Sequence, residues 1–225
     1  MSIETASNWS RFQGSVPLLA MPVAVVMPYA VQPLQLSGPA NPALMQHLRD
    51  GNRLLGLTTL QPGWEIRSDM AAAPFHAHGC LAEVTVQHNA PGERSVVIVR
   101  GLCRMRVEAE TTCGPLRMAE VVAVADRYPA PSAIDRTHRR DELLELFQEV
   151  YDLESLDLFE SLLRHELSLG CLTDVLSQSL SLSPTAAAEL LSISNVDLRS
   201  DLLLDHLRDV VRRRPLQSAP AFSCN

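Results

Sequence analysis

The sequence predicts an α+β protein whose N-terminal part is built from strands and whose C-terminal part is built from helices. Up to about residue 128, short apolar runs are interrupted by proline or alternate with polar residues, which is typical of strands. From Ile134 onward, apolar residues recur every three or four positions, which indicates amphipathic helices. The chain is 46% apolar but only 4% aromatic, so we expect a core of Leu, Val and Ala side chains.

The N-terminal part is expected to cover residues 15–128. Strands are predicted near residues 16–20, 31–36, 53–60, 79–87, 95–107 and 116–125. One helix is predicted at about 42–50, because Asn41 is a suitable N-cap, Pro42 suits the first helical position and Gly51 can end the helix. Residues 89–93 are predicted to form a hairpin turn.

The C-terminal part, residues 132–214, is expected to be a helical bundle, joined to the first part by a proline-rich stretch at 129–132. Its predicted apolar stripes are Leu143, Phe147 and Val150; Leu156, Phe159 and Leu163; and Leu172, Val175 and Leu176. Ser183 and Asn195 are predicted to begin the last two helices. Residues 1–14 and 215–225 are expected to be loose termini.

All 19 basic residues are arginine, and the chain contains no lysine. A phosphate-binding P-loop and a Ser-Lys peptidase dyad each need a lysine, so these residues can form neither. The formal net charge is −7, which argues against nucleic acid or an anionic membrane as a partner.

The cysteines point to a reducing compartment. There are five, an odd number, and no two have the CxxC spacing, so free thiols are expected rather than a disulfide framework. The sequence shows neither a signal-peptide pattern nor an apolar run of about 18 residues. We therefore expect a cytoplasmic location.

Four segments, taken together, resemble the N-terminal, substrate-binding domain of Lon proteases. They are VPLLAMPVAVVMP at 16–28, HGCLAEV at 78–84, VIVRGLCRMRV at 97–107, and residues 183–199 with their Glu189-Leu-Leu and Asn195-Val-Asp-Leu-Arg strings. They follow the order of the family and span nearly the whole chain. Two positions depart from the family pattern: Tyr29 stands where the family usually has glycine after the proline, and Ser37-Gly38 replace an acidic or aromatic pair.

The resemblance implies a PUA-like β pseudo-barrel followed by a helical bundle, with a role in recognising protein substrates. Lon proteases add an ATPase and a Ser-Lys peptidase beyond this domain, and this chain ends before either. We therefore expect a stand-alone, non-enzymatic domain without a cofactor, which binds unfolded or extended protein segments. A separate protease or ATPase chain is a candidate partner.

Candidate peptide-binding residues lie in the irregular stretch 61–75. Trp64, Met70 and Phe75 are apolar side chains on a loop beside a sheet, where they could hold an extended peptide. The alternative is that they fold over the end of the strand-rich part as core residues.

Two further groups invite a chemical interpretation. His76, His78 and Cys80 would project from one face of a strand, as three ligands of a zinc site or as a Cys-His pair, but ordinary strand residues are favoured and no metal is predicted. Arg104 and Arg106 could contact an anion, although solvated strand faces with acidic neighbours are favoured, and Arg104 matches a Gly-x-x-Arg position expected to be structural.

Three functions therefore stay open. The first is a protein-binding module. The second is a PUA-like domain that binds a small molecule or nucleic acid, since the fold does not fix the ligand. The third is a hydrolase resting on Cys80 and its neighbouring histidines.

Overall fold

A computed structural model describes residues 9, 11–23, 25–64, 73–89, 94–132, 134–151, 167–180 and 182–213. In this part of the chain there are six strands: β1 Gln13–Met21, β2 Val31–Ser37, β3 Leu54–Thr59, β4 His78–Asn89, β5 Arg94–Cys113 and β6 Leu116–Val124. The same residues contain five helices: α1 Asn41–Asp50, α2 Arg136–Tyr151, α3 Leu169–Ser179, α4 Pro184–Ser192 and α5 Val196–Arg213. The mixed strand and helix content predicted from the sequence is confirmed.

The six strands form one sheet in the order β2-β5-β4-β3-β1-β6, and β6 also pairs with β5. This last pairing closes a ring of five strands and leaves β2 attached outside it through β5. All neighbours are antiparallel except β1 and β3, which are parallel. Strand β5 pairs with β2, β4 and β6, which is possible because it is 20 residues long. Its register with β4 and with β6 shifts at irregularities that allow the strand to bend.

The core that packs against the sheet consists mainly of aliphatic side chains, as the composition predicts. One buried cluster joins β2, α1 and the central strands, with Leu34, Leu48 and Val84 among its members. A second cluster includes Leu18, Met105 and Val121, and Phe12 packs against it. This contact explains why Gln13 and Gly14, expected in a loose terminus, instead pair with Val122 and Val121 of β6.

The chain divides into two compact units. One consists of residues 1–127 and 174–194, and the other of residues 128–173 and 195–225. The first boundary lies beside the one expected from the proline-rich stretch. The sequence did not indicate that 174–194 returns to the sheet unit, where α4 buries Ala187 and Ala188 and packs against β3 and β4.

In the second unit, α2 and α5 pack through aliphatic and aromatic side chains. Leu143 and Phe147 are buried on α2, and Leu203 and Leu207 are buried on α5. Asp197, at the start of α5, accepts hydrogen bonds from Arg136 and from Ser132.

The helix starts show which local predictions were accurate. Ser183 caps α4, as predicted, because its side chain accepts a hydrogen bond from the amide of Ala186. Asn195 caps α5, also as predicted, because its side chain accepts a hydrogen bond from the amide of Asp197. The predicted cap of α1 was wrong by one residue: Ala40 occupies the cap, and the side chain of Asn41 instead donates to the hydroxyl of Ser95. Of the turn predicted at 89–93, Asn89 is the last residue of β4 and residues 90–93 lie outside the described residues. The stripe of Leu156, Phe159 and Leu163 and the terminus 215–225 also lie outside them.

Candidate functional site

Strand β2 is the edge of the described sheet, since it pairs with β5 alone. The amide of Gly101 donates to the carbonyl of Ala30 at 2.8 Å, so the backbone of Ala30 faces β5. Backbone groups of a strand point alternately to its two sides. The backbone N–H and C=O groups of Gln32, Leu34 and Leu36 therefore also point toward β5. The backbone groups of the odd-numbered residues of β2 point away from β5.

The outward side of β2 carries polar backbone groups and no charge. The outward residues are Val31, Pro33, Gln35 and Ser37, and all four side chains are exposed. Pro33 lacks an amide hydrogen, so an outward position costs the sheet no hydrogen bond. Charged side chains commonly protect a sheet edge from added strands, and β2 has none.

A groove of about 220 Å³ lies in the same unit as β2. Three polar residues contribute to it, namely Gln32 of β2 and Ser177 and Gln178 of α3. The remaining lining is apolar and comes from the loop after β1 and from the region of α4: Val23, Val25, Met27, Leu180, Leu182 and Ala187. No lining residue is charged, and Val23 is 71% exposed at the groove.

Two glutamine side chains hold the loop that forms one wall of this groove. Gln178 accepts a hydrogen bond from the amide of Met27 at 2.8 Å and donates to Gln32 at 3.1 Å. Gln32 in turn donates to the carbonyl of Val25 at 3.3 Å. The wall is thus tied to both β2 and α3 through part-buried hydrogen bonds.

The same loop is fastened to β5 at Gly101. The amide of Tyr29 donates to the carbonyl of Gly101 at 3.0 Å, and the carbonyl of Met27 lies against the α-carbon of Gly101 so closely that a β-carbon would collide with it. Tyr29 has a φ of 68°, a left-handed conformation that is costly for a bulky residue. A glycine at this position would adopt it without strain.

A buried ion pair fixes α3 to the sheet. The guanidinium group of Arg104 on β5 forms a bidentate pair with the carboxylate of Asp174, with one N–O distance of 2.7 Å, and the two side chains are 3% and 2% exposed. Asp126 lies 3.4 Å from the same guanidinium group. Burial by itself lowers the pKa of Arg104, but the charges and hydrogen bonds of the carboxylates outweigh burial and raise that pKa.

The anion contact predicted at Arg104 and Arg106 stays a prediction. The structure gives each guanidinium group a carboxylate partner, Asp174 for Arg104 and Glu108 for Arg106. The pair on Arg104 is buried, which agrees with the structural role expected for this position. The pair on Arg106 is exposed and contributes little to stability.

The predicted peptide-binding residues are only partly covered by the described structure. Phe75 is half-buried, packs against the second core cluster and lies 4.5 Å beneath the guanidinium carbon of Arg117. Trp64 is half-buried, and Met70 lies outside the described residues. The structure therefore does not show these three side chains together.

The residues His76, His78 and Cys80 are ordinary members of the sheet region. Cys80 is fully buried, and burial raises the pKa of its thiol, which opposes a nucleophilic role. Burial and the charge of Arg106 lower the pKa of His78 and favour its neutral form. Across the residues that the structure describes, no group of three His, Cys, Asp or Glu side chains is arranged to hold a metal ion.

Sequence reasoning missed the groove. The available signal was the pattern at 22–30, an uncharged apolar loop followed by a bulky residue where glycine was expected. None of the helices in the described part of the chain is long and apolar enough to cross a membrane.

Comparisons with known proteins agree with the fold and with the sequence segments. The family model for the substrate-binding domain of ATP-dependent protease La (LON) matches residues 15–209. A Lon protease of Koribacter versatilis (strain Ellin345) is 28% identical over 197 residues, which is 86% of this chain and 24% of that protein. The chain thus spans about a quarter of the length of this curated relative.

Two solved structures share the fold at 19% sequence identity. The N-terminal domain of a Lon protease from the Mycobacterium avium complex superposes with a TM-score of 0.63, covering 87% of this chain and 99% of that one. A Lon N-terminal domain protein from Xanthomonas campestris superposes with a TM-score of 0.56, covering 85% and 98%.

Proposed function

Because this chain belongs to the family of Lon protease substrate-binding domains, we propose that it is a recognition module for unfolded or extended protein segments. The observation that carries the proposal is the uncharged groove beside an exposed apolar side chain, Val23. Such a surface gains free energy by burying apolar side chains of a partner. Affinity for a single site is weak, because the bound segment must be ordered.

The size of the groove favours side chains of a polypeptide over a whole small molecule. Its volume is about 220 Å³, whereas pockets for small ligands usually measure about 300–1,000 Å³. The net charge of −7 likewise favours a protein segment over nucleic acid.

The proposed role is recognition without catalysis. Without lysine, these 225 residues can supply neither a Ser-Lys dyad nor a P-loop, so a protease or ATPase that uses either of them would lie outside these residues. The proposed cytoplasmic location is supported by Cys80 and Cys103, which are free thiols.

The ring of five strands supports the finer assignment of a PUA-like pseudo-barrel, and the packing of α2 against α5 supports a helical bundle in the second unit. The side chains of Trp64, Met70 and Phe75 form a second proposed contact surface. If Trp64→Ala leaves the affinity for an unfolded protein unchanged, that second surface is wrong.

The proposal is tested by fluorescence anisotropy with a labelled, reduced and carboxymethylated casein. We expect saturable binding that does not weaken as salt is added, because the groove is uncharged. A folded protein of similar size serves as the control and should not bind. Binding of labelled RNA that saturates and weakens with salt, together with no binding of casein, would replace this function with nucleic-acid recognition.

A further inference from the structure

We infer that the protein captures an extended segment as an additional strand on the outward side of β2, with the side chain of that segment nearest Gln32 directed toward the groove. This inference rests on the proposed function and specifies its site and its substrate class. The segment is an uncharged polypeptide with aliphatic residues at alternate positions.

The backbone of β2 provides the first part of the argument. The amides of Val31, Gln35 and Ser37 point away from β5, because the bond from Gly101 to Ala30 fixes the alternation of the strand. These groups match the hydrogen-bonding pattern of an added strand. Pro33 removes one donor and leaves its carbonyl available as an acceptor.

The position of the groove provides the second part. Gln32 belongs to β2 and also lines the groove, and its side chain lies on the same face as those of Leu34 and Leu36. Side chains of an added strand alternate between the two faces. The side chain that lies beside Gln32 on this face is directed toward the groove, whose apolar lining includes Val23 and Val25.

The absence of charge on β2 and on the groove lining determines the chemistry of the segment. A charged side chain entering the groove would lose hydration without gaining an ion pair, which is unfavourable. On the opposite face, Val31 is 58% exposed and offers a cross-strand contact to a β-branched residue. Alternating aliphatic and uncharged polar residues satisfy both faces.

Two pairs of variants separate the backbone contribution from the groove contribution. Gln35→Pro removes an outward amide without touching the ladder to β5, and Gln35→Thr is its matched control. Val23→Asp places a charge at the groove, and Val86→Asp makes the same change at a 49% exposed position of β4 that does not line the groove. Circular dichroism and thermal unfolding establish that all four variants are folded.

The probe is a fluorescein-labelled seven-residue peptide with Val at alternate positions and Thr between them, measured beside the carboxymethylated casein. We expect Gln35→Pro to weaken peptide binding about threefold to tenfold, the equivalent of one hydrogen bond. Val23→Asp should weaken it about tenfold, and both control variants should bind within about twofold of the wild type.

Amide hydrogen exchange provides an independent readout of strand addition. Bound peptide should slow exchange at Val31, Gln35 and Ser37, while Leu34 and Leu36, already bonded to β5, should change little. If casein binds but Gln35→Pro and Val23→Asp match the wild type and the outward amides gain no protection, strand addition is wrong and the proposed function survives. If neither casein nor the peptide binds the wild type, the proposed function fails and this inference fails with it.

Discussion

The carbonyl oxygen of Met27 occupies the space into which a β-carbon on Gly101 would project. The collision would be with backbone, which cannot move aside as the end of a flexible side chain can. Gly101 also accepts a hydrogen bond from Tyr29 and donates one to Ala30, so the loop after β1 and the strand β5 meet at this one residue. The glycine of the Gly-x-x-Arg segment is therefore required by close packing of two backbones.

We predict that Gly101→Ala lowers the free energy of unfolding by about 2–3 kcal/mol, because the added methyl group forces the two backbones apart. Binding of the casein probe should weaken as well, since Met27 forms part of the groove wall. Urea unfolding measures the first effect and anisotropy the second. Gly14→Ala is the control, because its β-carbon would meet only the ring of Phe12, at 3.3 Å. Equal losses in the two variants would contradict this explanation.

Removing only one partner of the ion pair between Arg104 and Asp174 should destabilise the protein strongly, because the remaining charge stays buried without its partner. Removing one partner with Asp174→Asn or Arg104→Met is expected to lower the free energy of unfolding by about 3–5 kcal/mol, because the other group stays buried. The double variant Arg104→Met, Asp174→Asn should lose less than the sum of the two single variants. Arg104→Lys should retain the charge but lose the bidentate geometry, and so fall between Arg104→Met and the wild type. Additive losses in urea unfolding would exclude a direct interaction.

Much of the strand-rich part could be predicted, since short continuous apolar runs are typical of strands that are buried on both faces. Strand β3 and the segment around Leu81 follow directly from such runs. The extent of β5 could not be predicted, because its bulges interrupt the alternation that defines a strand. The groove could not be predicted either: the hydrogen bond between Met27 and Gln178 joins residues 151 positions apart, and no local pattern encodes that contact.

The two units also show where periodicity is insufficient. Helix α4 has the same apolar period as the helices of the second unit, yet it packs on the sheet. Its buried alanines permit a close approach to β3 and β4, whereas α2 and α5 pack together and bury larger side chains, including Phe147 and Leu207. The period identifies a helix with a buried face and does not identify what that face contacts.

Acid should weaken the second unit through Asp197. Its hydrogen bond from Arg136 holds the pKa of this carboxyl below its ordinary value of 3.8. The unfolded state therefore binds a proton more readily, and the stabilisation, fully present above about pH 4, is lost as the pH falls through the lowered pKa. Asp197→Asn should be less stable at neutral pH and should lose less stability between about pH 4 and about pH 2 than the wild type. Parallel curves of unfolding free energy against pH for the two proteins would contradict this.

The thiols of Cys80, which is buried, and of Cys103, which is half-buried, should be unreactive in the native protein. Burial raises the pKa of Cys103 to about 11 and also raises that of Cys80. At about pH 8, roughly one Cys103 side chain in a thousand is then a thiolate, the form that reacts. Brief treatment with iodoacetamide followed by peptide mass spectrometry should find both cysteines unmodified, and fully modified in urea. Rapid native labelling of Cys80 would restore the hydrolase hypothesis that rests on this residue and its neighbouring histidines.

The left-handed conformation of Tyr29 leads to a prediction in which backbone and side chain have opposite effects. At a φ of 68°, glycine is unstrained, asparagine is tolerated, and a β-branched residue is the least favourable. We therefore expect Tyr29→Gly to raise the free energy of unfolding by roughly 0.5–1 kcal/mol, Tyr29→Asn to leave it near the wild-type value, and Tyr29→Val to lower it by roughly 1 kcal/mol. If the tyrosine side chain mattered more for stability than its backbone, all three variants would be destabilised in urea unfolding. If Tyr29→Gly is more stable than the wild type but binds casein less tightly, this exposed aromatic residue lowers the stability of the protein and increases its affinity for the bound segment.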